Sequence, residues 1–178
     1  MKSVNIMSKY KKILITGGAG FIGSHLVDKL ISKGYSIRVL DNLYKQIHPN
    51  RSLPKYFNKK AQFVRGDVTN YQDWLKALDG VDAIYHFAAA VGVGQSMYEI
   101  KHYVRVNSFG TALLLDILAN RKHQVKKIMI AASMSSYGEG SYICTKCGII
   151  QPPLREEKRL LLRDFDKKRL AFVLPFPN

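Results

Sequence analysis

Acidic residues are scarce in this 178-residue sequence: 13 aspartates and glutamates stand against 28 lysines and arginines, a formal net charge of +15. So lopsided a balance raises an anionic partner first. The basic residues, however, are scattered over every predicted element. Their densest patches, 122–127 and 155–169, do not alternate with aromatics. They read as solvated faces, and a nucleic-acid groove is not expected. Cysteine is nearly absent, limited to Cys144 and Cys147. That excludes a disulfide framework and makes a reducing, cytoplasmic location the expectation. There is no apolar leader, and no stretch approaches roughly eighteen uncharged apolar residues, so neither export nor a membrane span is expected. Hydrophobic content of 47% suits one soluble domain with a real core.

What is present is organised around Lys12-Ile-Leu-Ile-Thr-Gly-Gly-Ala-Gly-Phe-Ile-Gly23. The short apolar run Ile13–Ile15 reads as a buried parallel strand, and Thr16-Gly17 breaks it. From Phe21 the apolar spacing turns helical until Gly34. Between strand and helix stand Gly17, Gly20 and Gly23. Glycines so spaced give a tight turn, room for a pyrophosphate against bare backbone, and close helix–strand contact. The helix N-terminus adds unpaired N–H groups and partial positive charge. Asp41 ends the second strand, Ser36–Leu40, where a carboxylate would bond the adenosine ribose hydroxyls and repel a 2′-phosphate, favouring NAD over NADP. An ordinary acid after a strand is the plainer alternative.

The rest continues the rhythm. Residues 1–10 are polar and expected to be a flexible terminus, and 42–60 reads as a long loop with at most one helical turn. Gln62–Arg65 is a third strand, followed by Gly66-Asp67-Val68. A helix capped by Asn70 runs to Leu78, and Asp82–Phe87 is a fourth strand entering Ala88-Ala-Ala90. A long helix is expected from Ser96 or Tyr98 to Asn120, with an interruption near Lys101 left open, and a fifth strand over 127–132. Strands alternating with helices predict an α/β, doubly wound parallel sheet of Rossmann type. Its expected order is 3-2-1-4-5, with the crevice at the carboxyl ends of strands 1 and 4.

Six segments then fall in order: Gly17–Gly23, Asp41-Asn42, Gly66-Asp67-Val68, His86-Phe-Ala-Ala-Ala90, Asn107 with Gly110-Thr111, and Ser133 with Tyr137-Gly138. Over residues 11–151 the sequence resembles the extended short-chain dehydrogenase/reductases, the NAD-dependent nucleotide-sugar epimerases and dehydratases. Residues 133–148 look like a subgroup of sugar-nucleotide 4-epimerases. The resemblance implies NAD as cofactor and a nucleotide sugar as substrate. Phe21 and Ile22 would lie beside the pyrophosphate, and Asp67 and Val68 would hold the adenine. Phe87 and Ala88, Ala89 and Ala90 would let the dinucleotide pass close to strand 4. Asn107 would support the ends of strands 4 and 5, or be merely a polar residue within the long helix. Ser133 would bond the sugar oxygen being oxidised, or cap a turn after strand 5.

Such chemistry also needs a tyrosine base with a lysine one helical turn on. Tyr56/Lys60 lies between strands 2 and 3, which places it far from the crevice, and Tyr142/Lys146 sits in a stretch without helical period. Neither is in register. Cys144-x-x-Cys147 has the spacing of half a zinc knuckle, and two loop thiols without metal is the preferred reading. The chain therefore reads as truncated before a sixth strand and a substrate domain, with 152–178 a poorly ordered tail outside the family pattern. A truncation, a frame shift near Lys167 or a chain cut short by design would each give this pattern. An exposed strand 5 edge makes self-association an expectation. A non-catalytic dinucleotide-sensing module and an RNA-binding relative of the fold are the readings from other classes.

Overall fold

The computed structural model describes residues 10–133, 140–144, 146, 148–151, 157–162 and 170–173. Two compact units divide the chain, 1–131 and 132–178, an earlier boundary than the one expected at 151. The first holds β1 (Lys12–Thr16), α1 (Phe21–Ser32), β2 (Ser36–Asp41), β3 (Gln62–Arg65), α2 (Tyr71–Leu78), β4 (Ala83–His86) and β5 (Lys127–Ile130). Between the last two strands come α3 (Val93–Ser96), α4 (Ile100–Tyr103), a π-helical stretch (Val104–Phe109) and α5 (Gly110–Asn120). The five strands are parallel in the order β3-β2-β1-β4-β5, as the alternation predicts.

Successive side chains of a strand point to opposite faces, and the apolar residues of β1 divide accordingly. Ile13 and Ile15 join Ala19, Val27, Leu30, Ile37 and Val39 in a core under α1. Leu14 joins Leu40, Trp74, Leu78, Ile84, Leu114 and Ile117 in a second core under α2 and α5. Both faces of β1 are covered, which is why its sequence is an unbroken apolar run.

Several boundaries differ from the sequence reading. The long helix expected from 96 or 98 to 120 is interrupted close to Lys101, where the sequence leaves a break open: α3 ends in a turn, and α4 runs from Ile100 through the π-helical stretch into α5. β4 and β5 are shorter than 82–87 and 127–132, because the trailing residues leave the ladder at the carboxyl edge. Asn70 caps α2 as expected, its Oδ1 accepting from Gln72 N at 2.9 Å and Asp73 N at 3.2 Å.

The second unit contains β6 (Ser141–Cys144), β7 (Gly148–Ile150), α6 (Glu157–Leu161) and β8 (Leu170–Val173). β8 pairs antiparallel with β6 in the order β7-β6-β8. Residues 1–9, Tyr137-Gly138, Cys147 and most of 152–178 lie outside the described residues. Among the described residues no helix is long and apolar enough to cross a membrane.

One buried charge ties the sheet to α2. Arg38, 4% exposed in the middle of β2, donates from Nη1 to the carbonyls of Lys76, Ala77 and Asp79 at 2.7–3.0 Å, and from Nε to Gln62 Oε1 at 3.0 Å. These are the carbonyls that the end of α2 leaves without helical partners. Arg38→Met keeps the stem and strands those acceptors. It should lower stability by about 3 kcal/mol in urea unfolding, with the slope of the transition unchanged.

Candidate functional site

At the carboxyl edge β1 lies between β2 and β4, so its exit faces both neighbours and forms the crevice where the strand order reverses. The three predicted glycines meet there, and each does a different thing. Gly17 has φ +70°, and a Cβ on it would stand 2.9 Å from the Ala88 backbone nitrogen. It therefore sets how closely β1's exit approaches the chain leaving β4. Gly20 has an ordinary φ of −77°, and a Cβ there would meet only Gly17 O, at 3.3 Å; its absent side chain leaves open space rather than relieving strain. A Cβ on Gly23 would run into the Gly17 carbonyl and the backbone of Gly18. Gly18, not singled out from the sequence, is needed too, since its Cβ would press on Val39 at 2.7 Å. Gly20 offers no side-chain cap, so the first N–H groups of α1 remain for whatever enters the crevice. Phe21 and Ile22, 79% and 68% exposed, flank that opening.

Asp41 stands at the end of β2, and both carboxylate oxygens are engaged. Oδ2 accepts from Ala19 N in the glycine turn at 3.0 Å, and Oδ1 from Leu43 N at 2.9 Å. Each oxygen keeps a lone pair for a further donor. Beside it, Asn42 Nδ2 donates to Asp67 Oδ2 at 2.9 Å, and Thr69 N donates to Asp67 Oδ1 at 2.8 Å. Burial pushes the Asp67 carboxyl up, but these donors and the Arg105 cation outweigh it and hold it below the ordinary aspartate value. Val68 is buried, and its carbonyl accepts from Trp74 Nε1 at 2.6 Å.

On the β4 side, Phe87 and Ala88 through Ala90 leave the strand over Gly17. Asn107, on the π-helical stretch, clamps them: its Oδ1 accepts from Ala90 N at 2.8 Å and its Nδ2 donates to Ala90 O at 3.0 Å. It is thus more than a polar residue within a helix, and it secures the exit of β4. π-helical turns commonly reposition a side chain at such sites.

The sequence reading passed over a chain of hydrogen bonds beneath this edge. Thr16 Oγ1 accepts from Phe87 N at 3.1 Å and Ala88 N at 3.0 Å, so its one proton goes to His86 Nδ1 at 2.8 Å. Thr111 Oγ1 donates to Asn107 O at 2.8 Å, so it accepts from His86 Nε2–H at 3.0 Å. The donors thus select the neutral Nε2–H tautomer. The order of Thr16, His86 and Thr111 in the sequence was visible; that one imidazole spans both hydroxyls needed coordinates.

Tyr56 corrects the sequence reading as well. Read as far from the crevice, it sits on it, its hydroxyl donating to Ala19 O in the glycine turn at 3.0 Å. Of the second tyrosine–lysine spacing, Tyr142 lies in β6 and Lys146 in the turn that follows, so the pair is not one helical turn. Ser133 is the second residue of the second unit, three positions past the end of β5 in the sequence.

A parallel sheet reversing order over a glycine turn, with a carboxylate closing the next strand, defines a dinucleotide-binding α/β protein. The chain belongs to the NAD dependent epimerase/dehydratase family, whose model matches residues 13–157. It is 36% identical over 158 residues to the dTDP-L-rhamnose 4-epimerase of Burkholderia thailandensis, covering 88% of this chain and 44% of that protein. It is 35% identical over 144 residues to mouse UDP-glucose 4-epimerase, covering 75% and 40%. The crystal structure of UDP-glucose 4-epimerase from Brucella ovis in complex with NAD superposes with a TM-score of 0.60 at 30% identity, over 75% of this chain and 39% of that one. The chain thus spans about two-fifths of the length of such relatives.

Burial lowers the His86 pKa from 6.5 to about 4. The folded protein then binds that proton less readily than the unfolded chain, so the contribution is complete above pH 6.5 and is lost as pH falls from there toward 4. Between pH 7 and 4.5 the unaltered chain should lose about 2 kcal/mol more than His86→Gln does, read from urea unfolding at the two pH values.

Proposed function

We propose that this chain is the NAD-binding portion of a nucleotide-sugar epimerase or dehydratase. The observation that carries the proposal is the glycine turn joined to Asp41: the side-chain-free approach at Gly20 and a carboxylate at the end of β2 are linked through one residue, Ala19. The residues fit the cofactor. The open space at Gly20 and the uncapped start of α1 suit a pyrophosphate, Asp41 suits the adenosine ribose, and Asn42, Asp67 and Val68 suit the adenine. The Ala88–Ala90 segment, held by Asn107, leaves a side-chain-poor wall along β4's exit.

When bound, NAD accepts and returns a hydride at a sugar carbon, so that the sugar passes through a keto form. Ser133 is assigned the hydroxyl that bonds the sugar oxygen. The base that takes the sugar hydroxyl's proton is not assigned, because neither Tyr-x-x-x-Lys spacing lies on a helix. The chain by itself is therefore proposed to bind cofactor without turning over UDP- or dTDP-hexoses. Robust turnover abolished by Tyr142→Phe would refute that.

Titration with reduced cofactor, followed by energy transfer from Trp74, tests the binding. NADH should bind at least tenfold more tightly than NADPH, about 1.4 kcal/mol. Asp41→Ala should weaken NADH and close the gap; equal affinities in the unaltered chain would remove Asp41 from the ribose. Gly20→Val, at an ordinary φ, should fold and lose NADH, whereas Gly17→Val should lose stability first, since φ +70° and Ala88 both oppose it. A folded Gly20→Val that binds NADH normally would move the phosphate site elsewhere.

A further inference from the structure

We propose that Tyr56 is a positioning residue for the cofactor pyrophosphate, acting through the backbone of the glycine turn; the inference rests on the NAD-binding reading above. Three of the four residues from Gly17 to Gly20 are glycines, the residue type with the broadest backbone freedom. Nothing in the turn's own side chains holds its peptide planes. Ala19 is the exception: it is fully buried in the core under α1, and both of its polar backbone groups are bonded to groups from outside the turn.

The two outside partners fix two successive peptides. Asp41 Oδ2, accepting from Ala19 N at 3.0 Å, sets the plane between Gly18 and Ala19. Tyr56, donating to Ala19 O at 3.0 Å, sets the plane between Ala19 and Gly20. The N–H of that second plane, Gly20 N, closes the turn on Gly17 O at 3.1 Å. Holding the Ala19 carbonyl to the tyrosine keeps a partial negative charge directed at a donor rather than at an incoming phosphate. It also pins the start of α1, whose first N–H groups would meet the pyrophosphate.

Tyr56 is not there for burial, since it is 56% exposed. Its neighbours station it. Phe57 is buried and packs edge-on against Phe63, with ring centroids 5.6 Å apart. Asn58 Nδ2 donates to Asp28 Oδ1 on α1 at 2.7 Å. The segment after β2 is therefore tied down immediately beyond Tyr56, and the phenol is left reaching back over the turn.

Tyr56→Phe keeps the ring and removes only the hydroxyl. On the full chain, NADH affinity should fall at least fivefold, while adenosine, which carries no pyrophosphate, should bind within twofold of the unaltered chain. In the cofactor-free protein, amide exchange over residues 17–23 should quicken at least fivefold, with the melting temperature unchanged. NADH affinity within twofold of the unaltered chain would overturn the proposal. So would an equal loss for adenosine, or a fall in melting temperature without faster exchange in the turn, because each marks a structural role. An unaltered chain that binds no NADH would overturn the dinucleotide reading itself, whereas failure of Tyr56→Phe alone leaves that reading standing.

Discussion

The contact between the exits of β1 and β4 governs the rest of the site. There Gly17, lacking a side chain, comes against the Ala88 backbone, while the preceding Thr16 hydroxyl accepts from the amides of Phe87 and Ala88. Move the two exits apart and the glycine turn loses its floor, Asn107 loses its register on Ala90, and His86 loses one of its two hydroxyl partners. The arrangement costs a buried imidazole, held neutral by desolvation. It secures a crevice whose walls are backbone rather than side chain, which is what a pyrophosphate beside a helix N-terminus requires.

Around that contact, long-range polar ties take the place of regular structure. The segment between β2 and β3 has no helix or strand, yet it is bonded to the glycine turn through Tyr56, to α1 through Asn58 and to the core through Phe57. It also reaches the segment beyond β4. Tyr44 stacks on His102 with centroids 5.4 Å apart, and Gln46 and Gln95 exchange amide contacts at 3.0 and 3.3 Å. A loop held at several points along its length is part of the binding scaffold. Asp41 has a double part here, since the same carboxylate bonds both the glycine turn and the start of the segment after β2.

The epimerase relatives extend well beyond the part matched by this chain, which spans about two-fifths of their length. The family match reaches residue 157, past the end of the first compact unit and into the second. Within the first unit lie the glycine turn, the Asp41 carboxylate bonded to it, the Asn42–Asp67 pair and the Asn107 clamp on β4's exit.

The sequence by itself determined whatever is carried by local signals. The five strands and their order follow from alternating apolar runs and helical periods; the tight turn at Gly17, Gly20 and Gly23 follows from spacing between a strand and a helix; the cap on α2 follows from Asn70. Tertiary structure alone decided where long side chains end. Tyr56 was read as remote from the crevice because a loop has no period from which a direction can be taken, and its hydroxyl meets Ala19 only because Phe57 and Asn58 anchor the chain beside it. Asn107 reaches Ala90 because a π-helical stretch interrupts what looks like one continuous helix. Arg38 looks like a surface cation in a strand until α2 ends beside it and offers three carbonyls. Residues near in sequence share a geometry that period and propensity constrain, whereas partners joined across 17 to 41 positions are set by the packing of everything between them.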